Sequence, residues 1–501
     1  MEKRRNIGVL LLLLAVSIPL LARLALYITS STFFSTDVWG ILRNSQVLSQ
    51  YSPISLYSSV FDGYNNYWPA TSFELAIFSE VAGTSLLLSV ATITSLITVS
   101  IITIVYSFRK GLEGALAAIV IGAAFNVLMM TAAYTKEGYA YVLLLMMVYS
   151  LVSRANLGPV IPVVSALALP FTHHLTSLIA TVILFSSFLA HVVRLYKPLP
   201  YWAVEFRRVV VPSVPLAVSQ SLQYLTLGRF STLSAVTGWL ALSLVSYVVI
   251  FSLVGLAIGV FVVKVKERLL DVTALLSLIT GVALSGVVAE VVYSLDTVSL
   301  ALTVLLVLTA LLIVAINAVS KDRTTLSSLA WFTAIAGLIA FFVGEEIPGY
   351  ESIIYRVAGF IVVLAPLTIN GHRRRRAVLA SALFLATSVL VYVLTFTGVA
   401  APLGWYWVYR ESEVYTGLLL KEKLTGLKVC SDVKQSMMLS GFYGVETAQI
   451  PCGSESLRLL YRYMATNGAL VSAGRVVKVS VDPNRANGTV LNNGNGFLLL
   501  V

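Results

Sequence analysis

Of the 501 residues, 58% are hydrophobic and 11% are charged, and the mean hydropathy is +0.89. Soluble domains carry roughly 25% charged residues, so a water-facing surface for a chain this long is excluded and the chain reads as an integral membrane protein. The formal net charge is +11; in this setting the excess of Lys and Arg reads as orientation in the bilayer, and no nucleic-acid partner is implied.

A hydrocarbon core takes about 20 apolar residues per crossing helix, and on that measure the chain predicts about 13 spans. They fall near 6–29, 84–107, 112–134, 139–153, 157–171, 174–193, 209–228, 236–263, 269–293, 297–319, 327–343, 353–370 and 377–399. The predicted fold class is an all-α polytopic membrane bundle over 1–400 with a small α/β domain over 401–501. Starting from "MEKRR", alternate loops carry Arg109/Lys110, Arg154, Arg194/Lys197/Arg207/Arg208, Lys264/Lys266/Arg268, Lys321/Arg323 and "HRRRR". The opposite loops before residue 400 hold Arg43, Lys136, Arg229 and Arg356. The positive-inside rule then sets the N-terminus in the cytoplasm and the C-terminal domain outside a multi-pass cell-membrane protein. The basic start also suits a cleaved signal peptide. However, Arg23 interrupts the end of that segment and no small-x-small site follows, which favours an uncleaved span.

The first outer loop, 30–83, is rich in Tyr, Trp and Phe, residues that favour the membrane interface. Phe73, Ile77 and Glu80 fall at helical spacing, which predicts a short helix lying on the membrane surface over 71–82. A loop this long between terse hairpins points to function. After residue 400, Gly, Asn and charged residues return. "GLKVCSD" predicts a strand running into a turn. "SESLRLLYRYMA", with Ser454 as N-cap, predicts a helix. "RVVKVSVD" and "GFLLLV" predict strands flanking an Asn/Gly-rich turn. Cys430 and Cys452 lie on the oxidising side by this topology and predict a disulfide. Asn487-Gly488-Thr489 is an outward glycosylation sequon.

Several residues at outer span ends are candidates for chemistry. Asp37 reads either as a helix cap or as a general base near the headgroup plane. Glu137, in the tight hairpin "YTKEGY", is either solvated or sits beside Asp37 over a shared cavity. His173 and His174 are adjacent in "PFTHHLTSL". Neighbours on a helix point about 100° apart, so no zinc site is predicted. One of them is either a satisfied buried histidine or a group that orients a sugar or phosphate. Arg356 enters its span from the outside, where a guanidinium is costly to desolvate unless an anion meets it. That anion is a bidentate phosphate or one of Glu345, Glu346, Glu351 and Glu290. Arg43, Glu290 and Asp296 complete the candidates, and no metal site is assigned.

These features resemble the GT-C superfamily of membrane glycosyltransferases. "TDVW" is similar to the acidic motif after the first span, "YNNYWPATSFELA" to an aromatic-Pro stretch, and "FTHHLTSL" and "IIYRVAGF" to pieces of archaeal members. The resemblance implies a polyprenyl-phosphate-linked sugar as donor and a glycan, lipid or protein as acceptor. It implies Asp37 as the catalytic carboxylate and Arg356 on the lipid phosphate. The span count and tail most resemble oligosaccharyltransferase catalytic subunits, but their WWDYG motif is absent; "GWYWVY" at 404–409 does not match it. Their paired Asp-x-Asp is absent too, with Ser35 and Trp39 beside Asp37. A divalent metal is implied only for that branch. A metal-independent, inverting monosaccharide transferase is therefore the leading expectation, ahead of a transporter or lipid flippase and of a non-catalytic surface-layer component.

Overall fold

The computed structural model describes residues 2–500 apart from 31, 51–60, 62–64, 110, 153–157, 197–205, 228–238, 265–296, 319–322, 346–349, 371–373, 401–402, 424–427, 453–456, 473–474, 480–487 and 493–495. Glu290, Asp296, Asn487 and the apolar stretch 269–293 lie outside the described residues. The chain opens with α1 (Glu2–Ser30), then α2 (Val38–Gln50) and α3 (Ala70–Ala82) in the first outer loop. The bundle continues through α4 (Leu86–Arg109), α5 (Gly111–Ala123), α6 (Phe125–Ala132), α7 (Lys136–Val152), α8 (Val160–Thr172), α9 (His174–Tyr196) and α10 (Phe206–Leu227). It closes with α11 (Trp239–Lys264), α12 (Thr297–Ala318), α13 (Arg323–Gly344), α14 (Tyr350–Leu364) and α15 (Arg374–Phe396).

The expectation of about 13 spans is overturned. Among the described residues, seven helices are long and apolar enough to cross a membrane, or eight if α5 and α6, bent by 62° at their junction, form one span. Four of the expected spans fail for definite reasons. The 13 residues of α8 and 15 of α14 reach only about 20–22 Å at 1.5 Å per residue, short of the roughly 30 Å core. α7 begins on Lys136 and Glu137, has 17 residues, and buries most of them in protein. α10 carries Pro212, Pro215, Gln220 and Gln223. Hydropathy registers apolar side chains but not whether lipid or protein covers them, so a helix buried all round looks like a span. The protein is a polytopic all-α membrane bundle with fewer crossings than its apolar runs suggest.

Lipid-facing surface is recognisable by large exposed apolar side chains: Leu13, Leu21 and Ile28 on α1, Leu242 and Ile250 on α11, Leu379 and Val389 on α15. On α3, Phe73, Ile77 and Val81 stand out on one face, while Leu75 and Ala76 are buried beneath. Arg23, in the first span, is buried and satisfied. Its Nε donates to Thr131 Oγ1 at 3.0 Å, and its Nη1 to the Pro19 carbonyl at 2.9 Å. The buried charge is thus hydrogen-bonded at the last turn of α6, where the carbonyl end of the helix favours a cation.

The C-terminal domain begins with α16 (Glu411–Lys423), β1 (Val429–Ser431), α17 (Val433–Met438) and a π turn over Leu439–Tyr443. It continues with β2 (Thr447–Gln449), β3 (Leu457–Tyr461), α18 (Arg462–Thr466), β4 (Ala469–Ser472), β5 (Arg475–Val477), β6 (Gly488–Asn492) and β7 (Gly496–Leu500). The main sheet has the order β2-β1-β3-β7-β6, with β1 parallel to β2 and β3, and β7 antiparallel to β3 and β6. The expected helix over 454–465 is instead the central strand β3 followed by the short α18. Leu457, Leu459, Leu460 and Tyr461 are all buried, and such a run, covered on both faces, has no period that separates strand from helix. β7 pairs with β3 and β6, whereas β5 pairs with β4. Cys430 and Cys452 bring their sulfurs together with Cα atoms 6.2 Å apart, within the range for a bridge.

The domain is seated on the first outer loop. The Ser35 N–H donates to the Trp407 carbonyl at 2.7 Å, Phe34 bridges Val408, and Arg43 donates to the Ser440 carbonyl at 3.2 Å. Gly441 of the π turn lies backbone to backbone against Gly40 of α2.

Candidate active site

A cavity of about 130 Å³ lies where α2, the α6–α7 turn, the start of α9, α14 and the π turn meet. Asp37, Lys136, Glu137, His173 and Arg356 line it from the bundle, and Met437, Ser440 and Gly441 close it from the domain. Asp37 Oδ2 stands 3.8 Å from Arg356 Nη2, with the two side chains 37% and 33% exposed. Two non-glycine residues with positive φ, Ser35 at 100° and Tyr134 at 42°, directly precede the lining residues Thr36 and Thr135. Such backbone is sparsely populated and persists where the surroundings over-determine it. Here Ser35 is tied to Trp407 as above, and the Tyr134 hydroxyl donates to the Thr71 carbonyl at 2.8 Å. These two turns aim Asp37 and the Lys136–Glu137 pair inward.

The second acid is held differently. Thr135 caps α7 by accepting from the Gly138 N–H at 3.0 Å. Gly138 is required there, since a Cβ would sit 2.4 Å from the Met130 carbonyl oxygen. Lys136 is buried; its Nζ donates to Asn65 Oδ1 at 2.7 Å and lies 4.9 Å from the Trp68 ring centre. Glu137 is 3% exposed. Its Oε1 accepts from the Tyr141 hydroxyl at 2.6 Å, and its Oε2 has no hydrogen-bond partner. Burial pushes the Glu137 carboxyl above the usual carboxylate range, against the opposing pull of Arg356 and with a smaller push from Asp37.

The histidines divide. His173 caps α9: the Thr176 N–H donates to its Nδ1 at 3.3 Å, and the Thr176 hydroxyl lies 2.8 Å from the same atom. A ring nitrogen that accepts a backbone N–H carries no proton, so the neutral ring bears its hydrogen on Nε2. His174 packs tilted against Trp68 with ring centres 4.5 Å apart and faces a second hollow of about 140 Å³ with Gln220 and Gln223. The pair therefore does not converge on one ligand. Asp37, Glu137, His173 and Arg356 come together; His174 faces elsewhere, and Arg43 ties α2 to the domain. The strongest addition is Lys136, visible in the sequence only as a charge in a hairpin.

A divalent cation, implied for the oligosaccharyltransferase branch of the resemblance, does not fit this donor set. The two carboxylates share the cavity with a guanidinium and an ammonium. Among the described residues, no three His, Cys, Asp or Glu side chains gather as a metal site.

No protein-family model matches the chain, and no curated protein matches its sequence significantly. Solved structures do match. The archaeal oligosaccharyltransferase AglB from Archaeoglobus fulgidus, in complex with an inhibitory peptide and a dolichol-phosphate, is similar with a TM-score of 0.50 and 13% identity over 88% of this chain. The chain spans 64% of that protein's length. ArnT from Cupriavidus metallidurans, bound to undecaprenyl phosphate, aligns over 97% of both chains with a TM-score of 0.35 and 10% identity. At 13% identity the likeness to the oligosaccharyltransferase is one of fold alone.

Proposed function

We propose that the protein transfers a sugar from a polyprenyl-phosphate-linked donor to an acceptor at the extracytoplasmic face of the membrane, with inversion at the anomeric carbon. The observation that carries this reading is the Asp37 carboxylate 3.8 Å from the Arg356 guanidinium in one cavity. A displacement of this kind needs a base for the acceptor's proton and positive charge for the leaving phosphate. Asp37 takes the proton as the acceptor attacks the anomeric carbon. The bond from that carbon to the phosphate oxygen breaks, its electron pair stays on the phosphate, and Arg356 meets the new charge. Lys136 supplies a second cation at the same cavity. The dolichol-phosphate held by the similar oligosaccharyltransferase supports a lipid phosphate as the leaving group. In this reading the N-terminus is cytoplasmic, residues 1–400 carry the reacting groups, and the domain over 401–501 roofs the site from outside.

The test uses the full chain in nanodiscs with a panel of polyprenyl-phosphate-linked hexoses and pentoses. Release of polyprenyl phosphate is expected from the wild type. Asp37→Asn should lower it by about 10²–10⁴-fold, the usual contribution of a positioned base. Turnover unchanged by that substitution removes Asp37 from the mechanism and the reading with it.

A further inference from the structure

Glu137 is the buried acid that the mechanism above leaves unused. One oxygen accepts from Tyr141, the other is buried and lacks a partner, and the residue lines the cavity. A carboxylate in that position would hold a charge with half its acceptor capacity unmet in a low dielectric. The neighbouring cations have other anchors: Arg356 at Asp37 and Lys136 at Asn65. Among the described residues, the remaining titratable group at the cavity, His173, is committed through Nδ1 to capping α9. We propose that Glu137 stands in the cavity as a neutral carboxylic acid and donates its Oε2 proton to an oxygen of the bound phosphate, so that it recognises the donor and does not serve as a second base.

This inference rests on the glycosyl-transfer reading and assigns what the cavity recognises. With Glu137 protonated, the cavity presents the Arg356 and Lys136 cations, the Glu137 hydroxyl and the His173 Nε2–H as donors. Among the described residues, it presents Asp37 as the one charged acceptor. The complement is a ligand with several acceptor oxygens and one proton to give: a phosphate, which has only acceptors at full charge, beside an attacking hydroxyl. Were Glu137 ionised, two carboxylates would face the phosphate and repel it.

Two measurements decide it. Infrared difference spectra of wild type against Glu137→Gln at pH 7 should show a protonated-carboxyl C=O band in the wild type alone; carboxylate bands in its place overturn the proposal. In nanodiscs, binding of farnesyl phosphate should weaken by no more than about threefold in Glu137→Gln, which keeps a neutral donor. In Glu137→Ala it should weaken by about tenfold or more. Equal loss in both variants overturns the proposal. Inorganic phosphate, run beside farnesyl phosphate, should rank the variants in the same order, and a ranking seen only with the lipid overturns the phosphate contact. Arg356→Met separates this inference from the reading beneath it. Undiminished phosphate affinity there sinks the assignment of the site, while the infrared bands still report the protonation of Glu137.

Discussion

Lys434 offers the sharpest test of how the roof of the site is held. Its Nζ donates to both oxygens of Glu413 at 2.9 Å, and the two side chains are each 2% exposed. The ammonium also lies 4.8 Å from the ring centres of Tyr409 and Tyr463. Glu413 accepts further from Gln435 Nε2 at 2.9 Å and the Arg410 N–H at 2.7 Å. Lys434→Met keeps the stem and removes the charge, which leaves Glu413 buried and uncompensated. Breaking such a pair costs about 3–5 kcal/mol; since two hydrogen bonds to Glu413 survive, we expect the lower end, about 3 kcal/mol. Lys434 lies in the first turn of α17, which runs into the π turn, so the loss should appear as local opening over 429–443. Hydrogen exchange in nanodiscs should speed there by about a hundredfold, at a factor of ten per 1.4 kcal/mol. Glu413→Gln added to Lys434→Met should recover most of it. Less than about threefold faster exchange in the single variant, or no recovery in the double, refutes the view that this pair holds the roof.

Asp432 supplies a pH test of the same domain: burial pushes its carboxyl up to about 6 despite hydrogen bonds from the Gln435 N–H and the Tyr463 hydroxyl. The folded domain therefore holds a proton there that the unfolded chain releases near 4. Stability should fall as pH rises from about 4 to about 6 and level off above, and Asp432→Asn should flatten that slope in urea titrations. Cys452→Ser should cost the domain about 3 kcal/mol by the chain-entropy model, read as faster exchange in β1 and β2, with a Cys430–Cys452 cross-linked peptide in non-reducing digests of the wild type alone. Gly138→Ala forces a methyl onto the Met130 carbonyl and should destabilise by about 1–3 kcal/mol. Sugar transfer should drop with it, and wild-type melting would show that the α6–α7 turn yields freely.

Composition by itself determines that this is a membrane protein, because so few charges cannot clothe a soluble chain. Local pattern determines the helix α3 and the α/β character of the tail. Asp37, Glu137, His173 and Arg356 stand out singly, as charges or imidazoles set where desolvation is costly. Only the tertiary structure decides that they share a cavity, that His174 turns away from it, that Lys136 joins it, and that Arg356 meets Asp37. It also decides which apolar runs form helices long enough to cross a membrane and that residues 457–461 form a strand. The reason is the same in each case. Hydropathy and periodicity sum over neighbours along the chain, whereas the site and the true spans depend on which helix packs against which. Faces made uniformly of Leu, Val and Ala carry little record of that register.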